Sequence, residues 1–391
     1  MKVTKLSRQK IIKGFVVVLL FAGFLSVLYW ANHDKPGYYR EERTGIIFER
    51  AKVLEVLEDN TIIDETTENI RRGDMLLRLE MLTGDYRGDI VETQNYFGTY
   101  YNVYVTKGDT VIVRVDSTED SFRVSIYNHE RTNVLIGFVL LFFLSLIIIG
   151  GKQGVKAVLG LLFTLACVFF LLIPMVLKGF SPIPTTIVIL MITTIVCFYI
   201  LGGIQAKTVS AALGTVFGVV FAGGLAMIVG NMTNISGFQM EEAENLVMIA
   251  TGSSLKIKGL FICGILIATL GAVMDIAMSI SSAIEELHVN NPLMSVKKLF
   301  ISGMNIGKDA MGTMSNTLIL AFAGSGLNMI ITIYSYGVPF RQLINTDFVA
   351  VELIRGMAGS MGIIATVPAV SIISAWLTLN FKKISLNKIK R

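Results

Sequence analysis

Apolar runs of about 20 residues recur along the whole of this 391-residue chain, and no other feature restricts its fold as much. Roughly 20 helical residues cross a hydrocarbon layer some 30 Å thick, and a helix satisfies its own backbone donors and acceptors on the way. Eight spans are expected, at 14–31, 134–150, 155–177, 183–203, 209–230, 259–284, 312–334 and 349–379. With 53% hydrophobic and only 16% charged residues, a soluble enzyme is excluded for most of the length.

The charge is partitioned. Residues 31–133 hold 20 acidic and 13 basic side chains, whereas the rest of the chain holds 9 and 21. An acidic insert therefore sits within apolar stretches punctuated by Lys and Arg, and that basic excess speaks of membrane orientation rather than nucleic acid. The first run follows Lys2, Lys5, Arg8, Lys10 and Lys13 and ends at Tyr29 and Trp30 with no small-residue cleavage site, so it reads as a retained anchor. With that head in the cytoplasm, Lys152, Lys207, Lys297, Lys308 and the basic tail fall on the same side. An even number of spans then returns the carboxy terminus to the cytoplasm. The expected organisation is a basic head and anchor at 1–31, an extracytoplasmic β-rich domain at 38–130, a seven-helix membrane domain at 134–380 and a cytoplasmic tail at 381–391.

The insert alternates apolar and polar residues over Ala51 to Val56, Met75 to Leu82, Tyr100 to Val105, Thr110 to Val115 and Ser121 to Tyr127. Turn signals at Asp59-Asn60, Gly84-Asp85 and Lys107-Gly108-Asp109 separate these runs and predict a small antiparallel barrel or sandwich. The cluster Tyr96, Phe97, Tyr100, Tyr101 and Tyr104 is read as core and edge contacts, with ligand stacking as the alternative. Farther on, Glu241, Glu242 and Glu244 beside Leu246, Val247 and Ile249 suggest an outer amphipathic helix that either lies on the interface or closes a vestibule.

Chemistry-bearing motifs are scarce. Cys167, Cys197 and Cys263 lie in apolar runs and read as small core residues, while His33, His129 and His288 are scattered. No nucleotide-binding glycine loop, HExxH, GxGD or Ser-His arrangement occurs, so neither an enzyme nor a metal or cofactor is expected.

Ionisable groups inside spans are the informative ones, because each costs at least about 2.5 to 3.5 kcal/mol in hydrocarbon and persists where it faces protein or water. Asp275, Ser279, Ser282 and Glu286 are spaced by four, three and four residues and share one helical face. Next along the chain, Ser302, Asn305, Asp309, Thr313, Asn316 and Thr317 form a second stripe, with Gly303, Gly307 and Gly312 allowing close backbone approach. The two stripes are expected to face each other across a hydrated groove. Lys308 is either a partner of Asp309 or Glu286 or a cytoplasmic anchor. In the last span Glu352 and Arg355, three apart, either pair structurally or line a pathway.

The stretches Gly271 to Glu286 and Ser302 to Gly324 resemble the YibE/F-like family of bacterial multi-pass membrane proteins, specifically over 270–324 and more loosely over 134–380. The resemblance implies a bacterial plasma-membrane location and no substrate. A weaker similarity, to the resistance-nodulation-division permeases and SecD and SecF, lies in the order of an anchor at 14–31, an outer domain at 38–130, an Asp-bearing helix at 275–286, a cytoplasmic amphipathic segment at 295–308 and a polar helix at 312–324. By that likeness Asp275 would couple protons. The expected function is thus a proton-coupled permease or exporter of an unidentified small molecule or ion. Its rival is a non-transporting envelope assembly or scaffold protein that binds a partner through its outer β-domain; the partners expected are the lipid bilayer and an envelope protein or further copies of the chain.

Overall fold

The computed structural model describes residues 22–33, 46–99, 101–118, 121–235, 237–238, 245–247 and 254–389. They fall into two units, Tyr39–Ile148, and Met1–Tyr38 with Ile149–Arg391. Tyr100, Glu241, Glu242, Glu244, Ile249 and most of the first apolar run lie outside the described residues.

In the first unit, β1 (Ile46–Asp59), β2 (Ile62–Asp64), β3 (Ile70–Met81), β4 (Ile90–Phe97), β5 (Thr110–Thr118) and β6 (Ser121–His129) form one antiparallel sheet in the order β2-β3-β1-β5-β6, with β4 also paired to β3. Register shifts after Val53 and Val56 are bulges that bend the 14-residue β1 and curl the sheet into a half-barrel. Val53, Met75, Leu77, Leu79, Val111, Val113 and Val115 alternate inward and are fully buried. Across the open side, Thr93 Oγ1 of β4 donates to the Val124 carbonyl of β6 at 2.5 Å.

One strand differs from expectation. The run Tyr100 to Val105 is not a strand over its described residues, and β4 takes its place in the sheet. The inward positions of β4 are Thr93, Asn95 and Phe97, two of them polar, so its alternation carries little hydrophobic signal. The buried Asn95 amide donates to the Val103 carbonyl at 2.8 Å, and this bond secures the displaced run, with Val105 in the core. Of the aromatic cluster, Phe97 is buried, Tyr96 and Tyr101 are exposed, and Tyr104 lies under the Arg71 guanidinium at 3.7 Å. At the β1 turn, Thr61 donates to Asp59 from hydroxyl and backbone and holds that carboxyl below its usual range; bonds from Thr66 and Thr132 do the same for Asp64 and Glu130.

The second unit is helical. Residues 22–33 form α1, whose Phe24 ring meets Phe163 at 5.2 Å. The stretch Thr132–Cys167, labelled α2, is two helices that meet at a kink at Gly151 (φ 53, ψ −129), a conformation that favours glycine, and the kink lies between the expected second and third spans. Beyond it a π-turn at Val168–Leu172 leads into α3 (Ile173–Leu177). Pro174 has no N–H for the Phe170 carbonyl, and the Asn32 amide donates to that oxygen instead, at 2.8 Å.

The remaining helices are α4 (Pro182–Gly202), α5 (Ala206–Met232), α6 (Leu260–Asn290), α7 (Val296–Ser325), α8 (Leu327–Ser335), α9 (Phe340–Leu343) and α10 (Asp347–Ile389). Helices α5, α6, α7 and α10 share a core of Leu266, Val273, Ile276, Ile280, Ile284, Leu299, Ile363 and Val370. Where α5 crosses α10, a side chain on Gly218 would overlap the Thr366 hydroxyl, and one on Gly362 would lie 2.7 Å from the Ala222 methyl. Small residues bring these backbones together, as membrane helices require in the absence of a hydrophobic drive between them.

Among the described residues, five helical stretches are long and apolar enough to cross a membrane: Thr132–Leu177, Pro182–Gly202, Ala206–Met232, Leu260–Asn290 and Asp347–Phe381. The pair α7 and α8, bent by 63°, is either a broken sixth span or a re-entrant loop. Thr132–Leu177 holds the expected second and third spans on either side of the Gly151 kink, and of the expected first span only 22–31 is described. The segment 295–308, expected to be separate from the span at 312–334, is instead continuous with it in α7, and the break comes later, at Gly326, against the Phe348 ring.

Candidate functional site

Both polar stripes fall on the helices expected, α6 and α7, but not in the expected relation. A side chain on Gly303 would lie 2.6 Å from Ile284 Cδ1, and one on Gly307 would lie 3.0 Å from Ile280 Cδ1. Leu318 and Thr269 both abut Gly359. Each step forward along α7 is thus a step back along α6, so the helices run antiparallel. This register sets Asp275 at the depth of Gly312, Ser279 at that of Lys308 and Ser282 at that of Asn305.

The contact between the two helices is made by glycine and isoleucine, and the polar stripes do not line it. Asp275, Ser279 and Glu286 are exposed and Ser282 is half-buried; Asn305, Asp309, Thr313, Asn316 and Thr317 are all exposed, and Ser302 is half-buried. The internal groove expected between facing stripes is therefore absent from the described residues. The physical reason is that α6 buries its branched apolar face, Val273, Ile276, Ile280 and Ile284, and only the glycine face of α7 admits those side chains closely. The polar faces are left side by side on the outside of the unit, uncovered by the rest of the described chain.

Hydrogen bonds within this surface are local. Thr313 and Thr317 hydroxyls donate to the carbonyls of Ala310 and Thr313 at 2.9 Å, and the Asn290 amide donates to Glu286 at 3.2 Å. Among the described residues Asp275, Lys308 and Asp309 have no ion-pair or hydrogen-bonding side-chain partner. Glu285, one residue from the stripe, does have one: Lys207 of α5 at 2.8 Å. The sequence reading missed this pair because nearly 80 residues separate its members.

Glu352 and Arg355 are brought together, Nη1 to Oε1 at 2.7 Å, each about one-fifth exposed. The guanidinium also lies over the Phe322 ring at 5.7 Å, so the pair ties α10 to α7 and stands apart from the outward stripes. Cys167, Cys197 and Cys263 are buried and free, and no group of three His, Cys, Asp or Glu side chains positioned for a metal exists among the described residues.

With this geometry in view, the family model for YibE/F-like proteins matches residues 138–380. The chain belongs to the YibE/F-like family. Both polar stripes, the Glu352–Arg355 pair and all of α4 to α9 fall within the matched stretch. Family and apolar helices together make this a membrane protein. No curated protein and no solved structure matches it, so the likeness to resistance-nodulation-division permeases and to SecD and SecF gains no support.

Proposed function

We propose that this YibE/F-like protein is a permease or exporter of the bacterial plasma membrane, with both termini cytoplasmic and the β-unit outside. The observation that carries the reading is Asp275, a carboxylate midway along a 31-residue apolar helix, at the head of a polar stripe that continues to Glu286. Such a group is costly in hydrocarbon and is characteristic of ion and proton pathways. In this reading Asp275 carries the coupling proton, and Ser279, Ser282, Asn305, Asp309, Thr313, Asn316 and Thr317 give the substrate or its water a polar track beside it. Because the track lies on the outside of the helical unit, a further protein surface completes the pathway.

The test is proton flux. The chain is reconstituted in vesicles enclosing a pH-sensitive dye and challenged with a panel of cations and metabolites. Substrate-dependent flux in the wild type that Asp275→Asn abolishes is expected. Absence of flux under every condition, with the β-unit retaining an envelope protein on pull-down, favours the scaffold reading, which the exposed Phe48 and Tyr127 rings, 4.8 Å apart, suit.

A further inference from the structure

The uncovered surfaces of the helical unit are of two kinds. On α4 the exposed side chains include Val188, Ile192 and Ile195, and on α10 they include Met357, Met361 and Ile364, the large apolar groups that lipid tails accept. On α6 and α7 this material is missing: no large apolar side chain is exposed between Leu260 and His288, nor between Ser302 and Ile319. In its place α6 presents Ala268, Gly271, Asp275 and Ser279, and α7 presents Asn305, Gly312 and Asn316. A methyl group added at Gly264, Gly271 or Gly312 would meet nothing within 4 Å. Small and polar residues are what membrane helices present to other helices.

Charge distinguishes what covers this face. On α7, Asn305, Gly312 and Asn316 lie almost in line along the helix, and Lys308 and Asp309 flank that line on opposite sides. Neither has a charged partner among the described residues. Two copies of the chain enter a membrane in the same orientation, so a two-fold axis along the membrane normal sets their α7 helices parallel at equal depth. Across such a seam each Lys308 meets the other copy's Asp309, as flanking charges do in parallel helix pairs. The surface is thereby complementary to itself.

We infer that the outward face of α6 and α7 is an interface between two copies of this chain, joined along Asn305, Gly312 and Asn316 and locked by reciprocal Lys308–Asp309 pairs. The dimer removes Asp275, at the depth of Gly312, from contact with lipid. The inference stands on packing and charge and does not require that the protein transport anything.

Site-directed cross-linking tests it. In the full chain with Cys167, Cys197 and Cys263 changed to Ala, single cysteines are placed by Asn305→Cys and Gly312→Cys, with Ile192→Cys and Met361→Cys as controls on the apolar surfaces. After reconstitution at high dilution and oxidation with copper phenanthroline, covalent dimers are expected from the first two and not from the controls. Lys308→Glu should reduce the dimer severalfold, and Lys308→Glu with Asp309→Lys should restore it, which loss of folding would not permit. A single-molecule count of one chain per particle overturns the inference. So does cross-linking at the controls in preference to 305 and 312, or capture of a different membrane protein at 312 in native membranes with no dimer from the purified chain. A dimer without flux defeats the permease reading alone, and flux from monomers defeats the dimer alone.

Discussion

Gly303 packs against Ile284 so closely that a methyl group there would stand 2.6 Å from its Cδ1, and this contact sets which face of α7 turns inward. With the glycines turned inward to admit isoleucine, Asn305, Asp309, Gly312 and Asn316 turn outward. A single packing choice thus moves the candidate site from the inside of the helical unit to its surface.

Enlarging the inward glycines should therefore be costly. Gly307→Leu overlaps Val367 and presses on Ile280, and a loss of about 1–3 kcal/mol is expected from such overpacking. Gly312→Ala meets open space within one chain and, in detergent-dispersed monomer, should be neutral or stabilising by up to about 1 kcal/mol through helix propensity. Thermal unfolding in detergent compares the two, and equal losses would contradict the register.

Asp275→Asn should leave stability within about 0.5 kcal/mol of wild type, because the exposed carboxylate has no side-chain partner to lose. The same melting measurement, made on detergent-dispersed monomer, checks this and separates a later loss of flux from a loss of fold.

Arg355→Met leaves the Glu352 carboxylate without its guanidinium in a site only one-fifth exposed, and a cost of about 1–3 kcal/mol follows. Adding Glu352→Gln removes the charge that faced the guanidinium and should recover part of that cost. A double-mutant cycle of unfolding free energies measures the coupling, which vanishes if the pair is only incidental.

The Thr93 hydroxyl bridges β4 and β6 across the open side of the half-barrel. Thr93→Val keeps the side-chain shape but leaves the Val124 carbonyl without its buried donor, at about 1–3 kcal/mol. Faster amide exchange along β4 and β6, with β1 and β5 little changed, is the expected signature.

The β-unit should lose stability in acid. Asp59, Asp64 and Glu130 have folded pKa values below their reference values of 3.8, 3.8 and 4.5, through bonds from Thr61, Thr66 and Thr132 respectively. A depressed carboxylate contributes stability that is complete above its unfolded value and disappears as pH falls toward the folded one. Calorimetry of the full chain should show the β-unit transition falling as pH drops below about 4.5, and Asp59→Asn with Asp64→Asn should flatten that dependence.

Much of the architecture is legible in local pattern. Val111, Val113 and Val115 alternate and mark β5, and the spacing of Asp275, Ser279, Ser282 and Glu286 puts them on one face, as observed. β4 is concealed because Thr93 and Asn95 carry its inward face, and their bonds run to residues on other segments, 31 and 8 positions away. The Phe170 carbonyl left by Pro174 is filled by Asn32, 138 residues earlier, and no periodicity records that.

The amino-acid order alone determined that this chain enters a membrane, that an acidic β-rich segment interrupts its apolar runs, and that two helices carry polar stripes. Each of these follows from the composition and repeat of neighbouring residues. Only the tertiary structure decided where the stripes point. Periodicity places a side chain relative to its own helix axis, whereas the rotation of that helix is fixed by whichever face packs more closely against remote partners. Here Gly303 and Gly307 meeting Ile284, Ile280 and Val367 made that choice.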